Sequence, residues 1–294
     1  MNLFLQSLID ALSFAGVYAL IALGIALIFG VMNLVNFAHG ELVMVAGYVF
    51  FLLQGAPWPL VIVATVCAAV ITALLMERVA FRPVRSADPT TLLVTSFAVS
   101  FLLQSIAMLT MGARPKSIEV PAFVGESIAI GGLRVPKLEL VTIALAFVLL
   151  MALNVFLRRT ALGRQMRAAA EDFQMARVLG VRADTIVAMA FALSGILAGC
   201  LAVIYVAQTA SVSPVIGLQL VLIGFVSTVI GGLGSLEGAA IGGFVLGFLT
   251  VMIQTILPPE LRGYRDAVVF AIVITILLIR PHGLLGSLRR SDYL

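Results

Sequence analysis

The stretch that decides the fold is GVYALIALGIALIFGVMNLVNFAHGE, residues 16–41. Its first part continues an apolar run that begins near Leu8, and no charged residue lies between Asp10 and Glu41. Roughly 20 apolar residues are the length that a helix needs to cross the hydrocarbon core of a bilayer. Polar residues then appear together between positions 33 and 41. The stretch therefore predicts a spanning helix that ends in a polar turn.

The composition of the whole chain indicates the same environment. Of its 294 residues, 62% are hydrophobic and only 11% are charged, and the mean hydropathy is +1.18. A water-soluble domain of this size could not cover its surface with so few polar residues. We therefore expect one all-α membrane domain over residues 1–294, a polytopic transmembrane helix bundle of about eight to ten spans, including broken helices.

Nine apolar runs are long enough to be helical segments. They lie at about Leu8–Val31, Glu41–Gln54, Pro59–Met76, Thr90–Met111, Leu138–Leu157, Thr185–Gln208, Val215–Gly232, Ala239–Leu257 and Arg265–Ile279. The N-terminus carries no Lys or Arg before the first run, so we expect a retained first helix and not a cleaved signal peptide.

The basic residues predict the orientation of the bundle. If nine segments cross in turn, the larger basic group falls on one side and comprises Arg78, Arg82, Arg85, Arg158, Arg159, Arg164, Arg167, Arg177, Arg182, Arg280, Arg289 and Arg290. The smaller group falls on the other side and comprises Arg114, Lys116, Arg134, Lys137, Arg262 and Arg265. Cytoplasmic loops carry the excess of Lys and Arg. We expect the N-terminus outside and the C-terminus inside, in the cell inner membrane, and the net charge of +4 needs no nucleic-acid partner.

The polar turn is the first candidate site. Its members are Asn33, Asn36, Phe37, His39, Gly40 and Glu41. Polar groups deep in a membrane domain usually face a cavity or another helix, and they satisfy the backbone of broken helices along transport pathways. The cluster therefore predicts a translocation pathway or gate. The alternative is an ordinary turn between two spans, with His39 and Glu41 wetted by the cytosol.

A second candidate is the hydrophilic segment RRTALGRQMRAAAEDFQMARVLGVRAD, residues 158–184. It is rich in strong helix formers, and Gly163 and Gly180 bracket it. We expect a short cytoplasmic amphipathic helix with one face formed by Met166, Ala170, Phe173 and Ala176. Its exposed Phe173/Met166 face could insert into a partner's groove, or the helix could rest on anionic lipid.

A third feature is the glycine cluster GGLGSLEGAAIGGFVLG, residues 231–247. Small residues spaced four apart let helix backbones approach closely in lipid. We therefore expect a helix-packing role for Gly231, Gly232, Gly234, Gly238 and Gly242. The cluster lacks the Lys-Ser/Thr ending of a phosphate-binding loop.

No catalytic pattern appears along the chain. There is no ATP-binding motif and no HExxH sequence, and the two histidines, His39 and His282, are too far apart in sequence to suggest a metal centre. We expect no metal, no enzyme activity and no cofactor bound by this chain. Any energy for its work must come from elsewhere.

Several motifs are similar to one family. Residues 16–41, ERVAFRPVR (Glu77–Arg85), LGRQMRAAAEDFQMARVLGV (Leu162–Val181), VIGGLGSLEGAAIGG and RPHGLLG together resemble permeases of branched-chain amino acid ABC importers, the LivH type. The resemblance implies that residues 158–184 form the coupling segment for an ATPase subunit. The residues concerned are Gly163, Arg164, Arg167, Ala170, Glu171, Asp172, Phe173, Ala176 and Gly180.

The resemblance also implies partners: a second permease subunit, two ABC ATPase subunits that bind ATP and Mg, a periplasmic substrate-binding protein and the lipid bilayer. The chain would form the pathway for branched-chain amino acids or similar small polar solutes. Relatives often carry a Lys near positions 223 and 224, where this chain has Ile223 and Gly224, so other amino acids, amides, urea or organic acids stay open. The alternatives are an ion-coupled secondary transporter that titrates His39 and Glu41, and an intramembrane enzyme or a passive channel.

Overall fold

The computed structural model describes residues 2–85, 87–120, 122–130 and 133–285, and these form an all-α bundle with two small two-stranded sheets. The helices are α1 (Asn2–Met32), α2 (His39–Leu52), α3 (Trp58–Leu75), α4 (Arg82–Val84), α5 (Pro89–Met111), α6 (Ala122–Gly125), α7 (Lys137–Arg159), α8 (Ala161–Glu171), α9 (Phe173–Val178), α10 (Ala183–Thr209), α11 (Ile216–Gly231), α12 (Leu236–Ile256) and α13 (Arg265–Ile279). The strands are β1 (Lys116–Ser117), β2 (Ser127–Ile130), β3 (Leu133–Pro136) and β4 (Ser211–Val212).

Each of the nine predicted apolar runs coincides with a helix. The helices are α1, α2, α3, α5, α7, α10, α11, α12 and α13. Six of the described helical stretches are long and apolar enough to cross a membrane. The third runs from Trp58 to Val84, because α3 continues without a break through a π-helical turn, Met76–Phe81, into α4. That continuation extends beyond the predicted end of the run at Met76.

Helix α1 lies at the centre of the bundle. It packs against α7, α10, α11 and α12, and most of its apolar stretch is buried. Two glycines of α12 allow its backbone to touch that of α1. A Cβ on Gly243 would lie 2.6 Å from the Ala19 Cα, and one on Gly247 would lie 2.6 Å from the Ala15 Cα. Such backbone contacts maximise dispersion between helices in lipid, where no hydrophobic effect drives association.

Helices α2 and α11 are shorter than a full span. With 14 and 16 residues, they are about 21 and 24 Å long at 1.5 Å per residue. Both begin inside the bundle, where their first turns touch. A Cβ on Gly40 would lie 1.9 Å from the Gly217 carbonyl oxygen. The sequence predicted a broken helix at the polar turn before α2, whereas it predicted α11 only as an apolar run.

The two ends of the bundle differ in structure and charge. At one end, the strand end, β1 pairs with β4 and β2 pairs with β3. At the other, the α8–α9 end, Arg158 contacts Glu237 and the Leu284 N–H donates to the Ile230 carbonyl oxygen at 2.7 Å. The larger basic group belongs to the α8–α9 end. Arg289 and Arg290, which the sequence assigns to the same group, lie outside the described residues.

Candidate functional site

The connection between α1 and α2 starts at the surface and then turns into the protein. It begins at Asn33, which is exposed and has a left-handed φ of +51°. Asn36 is fully buried, and its Oδ1 accepts a hydrogen bond from the Ala38 N–H at 3.0 Å. The Asn36 backbone carbonyl also accepts from the His39 N–H at 3.1 Å. Asn36 therefore supplies partners to a chain that turns where water cannot.

His39 joins three helices. Its ring is fully buried against Gly24 of α1, where a Cβ would lie 2.4 Å from the His39 Nε2. The His39 Nδ1 lies 2.9 Å from the Ser194 hydroxyl of α10, which donates to the Gly24 carbonyl oxygen at 3.1 Å. With that hydroxyl proton committed to Gly24, the imidazole Nδ1–H is the donor to Ser194. His39 therefore ties α2 to α1 and α10.

Glu41 ties α2 to α5. It is fully buried, and its Oε1 accepts from the Ser100 hydroxyl at 2.8 Å and from the Gln104 Nε2 at 2.7 Å. Among the described residues, no Lys, Arg or His forms an ion pair with Glu41. Burying an isolated carboxylate in an apolar medium is costly, so this interaction needs another source of compensation.

The second carboxyl oxygen of Glu41, Oε2, has no hydrogen-bond partner among the described residues, and it lies beside two helix ends. Glu41 lies in the first turn of α2, and a Cβ on Gly217, in the first turn of α11, would lie 2.5 Å from the Glu41 Oε2. The N-terminal end of a helix carries a partial positive charge that favours an anion. Two such ends meet at this carboxyl group. The interpretation of His39 and Glu41 as residues of a wetted turn is therefore wrong, because neither side chain reaches solvent.

Phe37 belongs to an aromatic cluster beside these polar contacts. Its ring stacks on Phe97 of α5 with centroids 4.3 Å apart, and it meets Phe225 of α11 at 5.8 Å. All three rings are partly buried. The cluster therefore joins the turn, α5 and α11 at one level of the bundle.

Helix α5 turns a polar face away from the bundle. Thr91, Thr95, Ala98, Leu102 and Ser105 share this face at helical spacing, and all but the half-buried Thr95 are exposed. A surface groove of about 470 Å³ runs along it, lined by Thr90, Thr91, Val94, Thr95, Ala98, Val99 and Leu102. The opposite face of α5 carries the Ser100 and Gln104 that bind Glu41. The Thr95 hydroxyl donates to the Thr91 carbonyl oxygen of the same helix at 2.7 Å, and small residues such as Thr, Ser and Ala on a spanning helix let another helix approach closely.

The predicted coupling helix consists of two helices. Helix α8 starts at the Thr160 cap, and Gly163 packs so tightly that a Cβ would lie 2.3 Å from the Phe156 carbonyl oxygen. Asp172 ends α8 and caps α9, accepting from the Met175 N–H at 2.9 Å. Asn and Asp side chains commonly start helices in this way. The expectation of one continuous helix is therefore wrong.

The exposed apolar face of this segment also differs from the prediction. Met166 is only 2% exposed, Ala176 is buried, and Phe173 is half-buried against the core. The exposed apolar residues are Met175, Val178 and Leu179, which are 55%, 81% and 77% exposed. Arg164, Arg167, Glu171 and Arg177 are exposed, Ala170 is half-buried, and Gly180 ends the segment with a φ of +87°. The predicted face, Phe173/Met166, is wrong because it packs inward.

The glycine cluster divides into two kinds of position. Gly231, Gly238 and Gly242 make backbone contacts between α11 and α12, and a Cβ on Gly231 would lie 1.9 Å from the Gly238 carbonyl oxygen. Gly232 and Gly234 have φ values of +112° and +87° and form the turn between these helices. Glycine adopts such angles at low cost. The spacing argument did not separate the two kinds.

Sequence reasoning missed the partners of the polar turn. Ser96, Ser100 and Gln104 recur every fourth residue and form the buried polar face of α5, a signal that was present in the sequence. Ser194 and Gly217 had no comparable signal. Among the described residues, no three His, Cys, Asp or Glu side chains lie close enough to hold a metal ion.

An all-α bundle with six long apolar helices, two shorter ones that begin inside it and a polar centre has the architecture of a polytopic membrane protein. The family model for the branched-chain amino acid transport system permease component matches residues 7–277. The high-affinity branched-chain amino acid transport system permease protein LivH of Escherichia coli K12 is 33% identical, with 96% of each chain covered. BraD of Pseudomonas aeruginosa, which has the same description, is 32% identical with the same coverage.

The chain therefore belongs to the branched-chain amino acid transport system permease family. A solved structure described as a metal-chelate type ABC transporter in an inward-facing conformation is similar in fold. It has a TM-score of 0.55 at 17% identity, and the match covers 95% of this chain and 89% of that chain.

The polar contacts of Glu41 predict a stability effect. Replacing Glu41 with Leu should lower the free energy of unfolding by about 1–3 kcal/mol, because the buried Ser100 hydroxyl would lose its acceptor and Gln104 would keep only the Ser100 oxygen, at 3.2 Å. Thermal unfolding of the detergent-solubilised protein measures the change. Glu41→Gln keeps one acceptor oxygen and should lose less, and Ser105→Ala, on the exposed face of α5, is the matched control. A Glu41→Leu variant as stable as wild type would contradict this account.

Proposed function

We propose that this chain is the transmembrane permease subunit of an ABC importer, energised by separate ATPase subunits. Its cargo would be branched-chain amino acids or similar small polar solutes, as the names of LivH and BraD suggest. The observation that carries the proposal is the α8–α9 segment. It presents an exposed apolar patch, Met175, Val178 and Leu179, on a helical pair that lies outside the spans.

The charge distribution supports an orientation with the α8–α9 end in the cytoplasm. That end carries the larger basic group, as cytoplasmic loops do. The C-terminus would then be cytoplasmic and the N-terminus outside, in the cell inner membrane. The strand end would face the periplasm, where a substrate-binding protein delivers cargo.

The α8–α9 segment is the proposed coupling segment. The Met175, Val178 and Leu179 patch would insert into a groove of the ATPase subunit, and the exposed Arg164, Arg167, Glu171 and Arg177 would form its polar rim. Interfaces of this kind place apolar residues at the centre and charges at the edge. ATP and Mg would bind to the ATPase subunits and not to this chain.

The polar face of α5 is the proposed pathway wall. A second permease subunit, identical or related, would face it and enclose the groove between the two chains. Two ATPase subunits would then complete the complex, one under each permease. On the bundle side of α5, the Phe37, Phe97 and Phe225 rings and the Glu41 contacts would hold this wall in place.

One observation favours a second candidate, an ion-coupled secondary transporter. His39 and Glu41 are buried ionisable side chains within the bundle, and such groups form proton relays in some transporters. This mechanism would need no ATPase partner. The two candidates therefore differ in their energy source.

Reconstituted vesicles distinguish the candidates. The permease, its second permease and both ATPase subunits should take up labelled leucine when ATP and the binding protein are supplied, and an ionophore should leave the uptake unchanged. Uptake that continues without ATP and collapses with the ionophore would overturn the ABC proposal. Competition by other amino acids, amides and organic acids would then define the cargo.

The pathway wall predicts a block by a bulky residue. Ala98→Trp on the exposed face of α5 should lower uptake on the order of tenfold by narrowing the route, while ATP hydrolysis by the same complex continues. Phe147→Trp, at a 63% exposed position on α7, is the control and should transport normally. Normal uptake by Ala98→Trp would show that this face of α5 does not line the pathway.

The coupling patch predicts a specific loss of assembly. Val178→Asp should weaken ATPase binding by about 2 kcal/mol, because a charge would enter the apolar centre of the interface, without affecting membrane insertion. Co-purification of the ATPase with tagged permease measures this. Leu261→Asp, at a 48% exposed position near the strand end, should keep its ATPase. Undiminished co-purification with Val178→Asp would argue that the patch rests on lipid.

A further inference from the structure

The motif ERVAFRPVR, Glu77–Arg85, has no role in the site described so far. Its residues form the π-helical turn and α4, the end of the third span. Arg85 donates to the Glu77 Oε1 at 2.5 Å and to the Asp184 Oδ1 at 2.8 Å, and Arg82 binds the Asp184 Oδ2. Two carboxylates and two guanidinium groups therefore alternate in one chain of ion pairs that runs from Arg82 through Asp184 and Arg85 to Glu77.

We infer that this cluster is a latch that transmits movement of the coupling segment to α5, so that Arg82, Arg85, Glu77 and Asp184 are positioning residues for transport. The inference rests on the proposed function, since it requires an ATPase that moves α8 and α9. Neither the turn near Glu41 nor the Met175, Val178 and Leu179 patch is part of the latch.

The first link joins the coupling segment to Asp184. Asp184 is the second residue of α10, and only residues 179–182 separate α9 from this helix. That connection is short and hydrogen-bonded: the Gly180 N–H donates to the Arg177 carbonyl and the Val181 N–H to the Ala176 carbonyl, both at 3.0 Å. A displacement of α9 must therefore move the start of α10 and Asp184 with it.

The second link joins Asp184 to the third span. Arg85 lies between both carboxylates, and its side chain is only 17% exposed while that of Glu77 is 6% exposed. Exposed ion pairs contribute little, but a buried charge that loses its partner is costly. The Glu77–Arg85 pair therefore stays together, and the exposed bonds from Arg82 and Arg85 to Asp184 join this pair to the start of α10. Farther along, α10 also packs on the third span, where a Cβ on Gly199 would lie 2.7 Å from the Val66 Cα. Single π-helical turns occur frequently at functional sites.

The third link joins that turn to the pathway wall. Helix α5 packs against the π-helical turn, and it begins at Pro89, shortly after Arg85. Its apolar span is only 28% buried, against 78% for α1. Helix α5 is thus held mainly by three elements: α2 through Glu41, the α1–α2 connection through the Phe37 ring, and the π-helical turn. A helix with so few attachments responds to movement of any one of them.

Asp184→Asn tests the latch in the complete complex. The variant should still assemble, because Asp184 is 58% exposed. It should hydrolyse ATP at close to the wild-type rate, while uptake of labelled leucine falls by about tenfold, within the range that changes along a coupling route produce. Asp184→Glu keeps a carboxylate for Arg82 and Arg85, and it should take up leucine close to the wild-type rate. Glu237→Gln breaks the Arg158–Glu237 pair at the same end of the bundle, and it should transport as wild type.

A conformational signal completes the test. An environment-sensitive fluorophore on Phe101→Cys, at an exposed position of α5, is placed in a Cys67→Ser, Cys200→Ala background. Its emission should change when ATP is added to the complex, and Asp184→Asn should abolish the change.

Two results would overturn the latch. Normal uptake by Asp184→Asn in an intact complex would refute it, and loss of the ATPase from that complex would assign Asp184 to docking. If the proposed function itself is wrong, the wild-type complex will show no ATP-driven uptake. That result is distinguishable from a failure of the latch alone, in which the wild-type complex transports normally.

Discussion

Hydrocarbon offers no hydrogen-bond partner to the backbone, and this constraint governs the whole molecule. It explains why the spans are helical. Its effect is largest at α2 and α11, because these helices begin inside the bundle and not at its surface. Their first turns expose N–H groups that a full span would present to water. Asn36 supplies acceptors to one of these ends, and the carboxyl group of Glu41 lies against both. The polar residues that mark the candidate site are thus also the residues that make broken helices tolerable.

A second property of the hydrocarbon environment, the absence of a hydrophobic effect between helices, accounts for the use of glycine. At Gly40 and Gly217 the two broken helices touch backbone to backbone, and any side chain at Gly40 would collide with the facing carbonyl. At Gly243 and Gly247 the full spans α1 and α12 do the same. Close contact replaces the hydrophobic effect as the attraction between helices in lipid. Helix α5 lacks such contacts and depends on hydrogen bonds to Glu41, so it is attached by fewer and more specific interactions than the central helices.

The sequence predicted the helical segments well because apolar runs and bilayer thickness leave few alternatives. It also located the polar turn, since Asn36, His39 and Glu41 interrupt an otherwise apolar stretch of the chain. It could not identify their partners, because Ser194 and Gly217 look like any small residues in a helix. The break at Asp172 was visible as a capping residue, but the neighbouring helix formers outweighed it. Burial of Met166 could not be foreseen, because it depends on the way α8 folds back onto α1 and α7.

The polar turn and the coupling segment are distant in sequence, yet α5 and α10 relate them in space. Helix α10 starts at the coupling segment and reaches the turn through Ser194, which binds His39. Helix α5 starts beside the Arg85 cluster and reaches the turn through Ser100 and Gln104, which bind Glu41. Movement at the α8–α9 end would therefore arrive at His39 and Glu41 along two separate helices. Because α10 is deeply packed and α5 is not, the two helices would respond unequally, and that difference is what can change the width of a pathway beside α5.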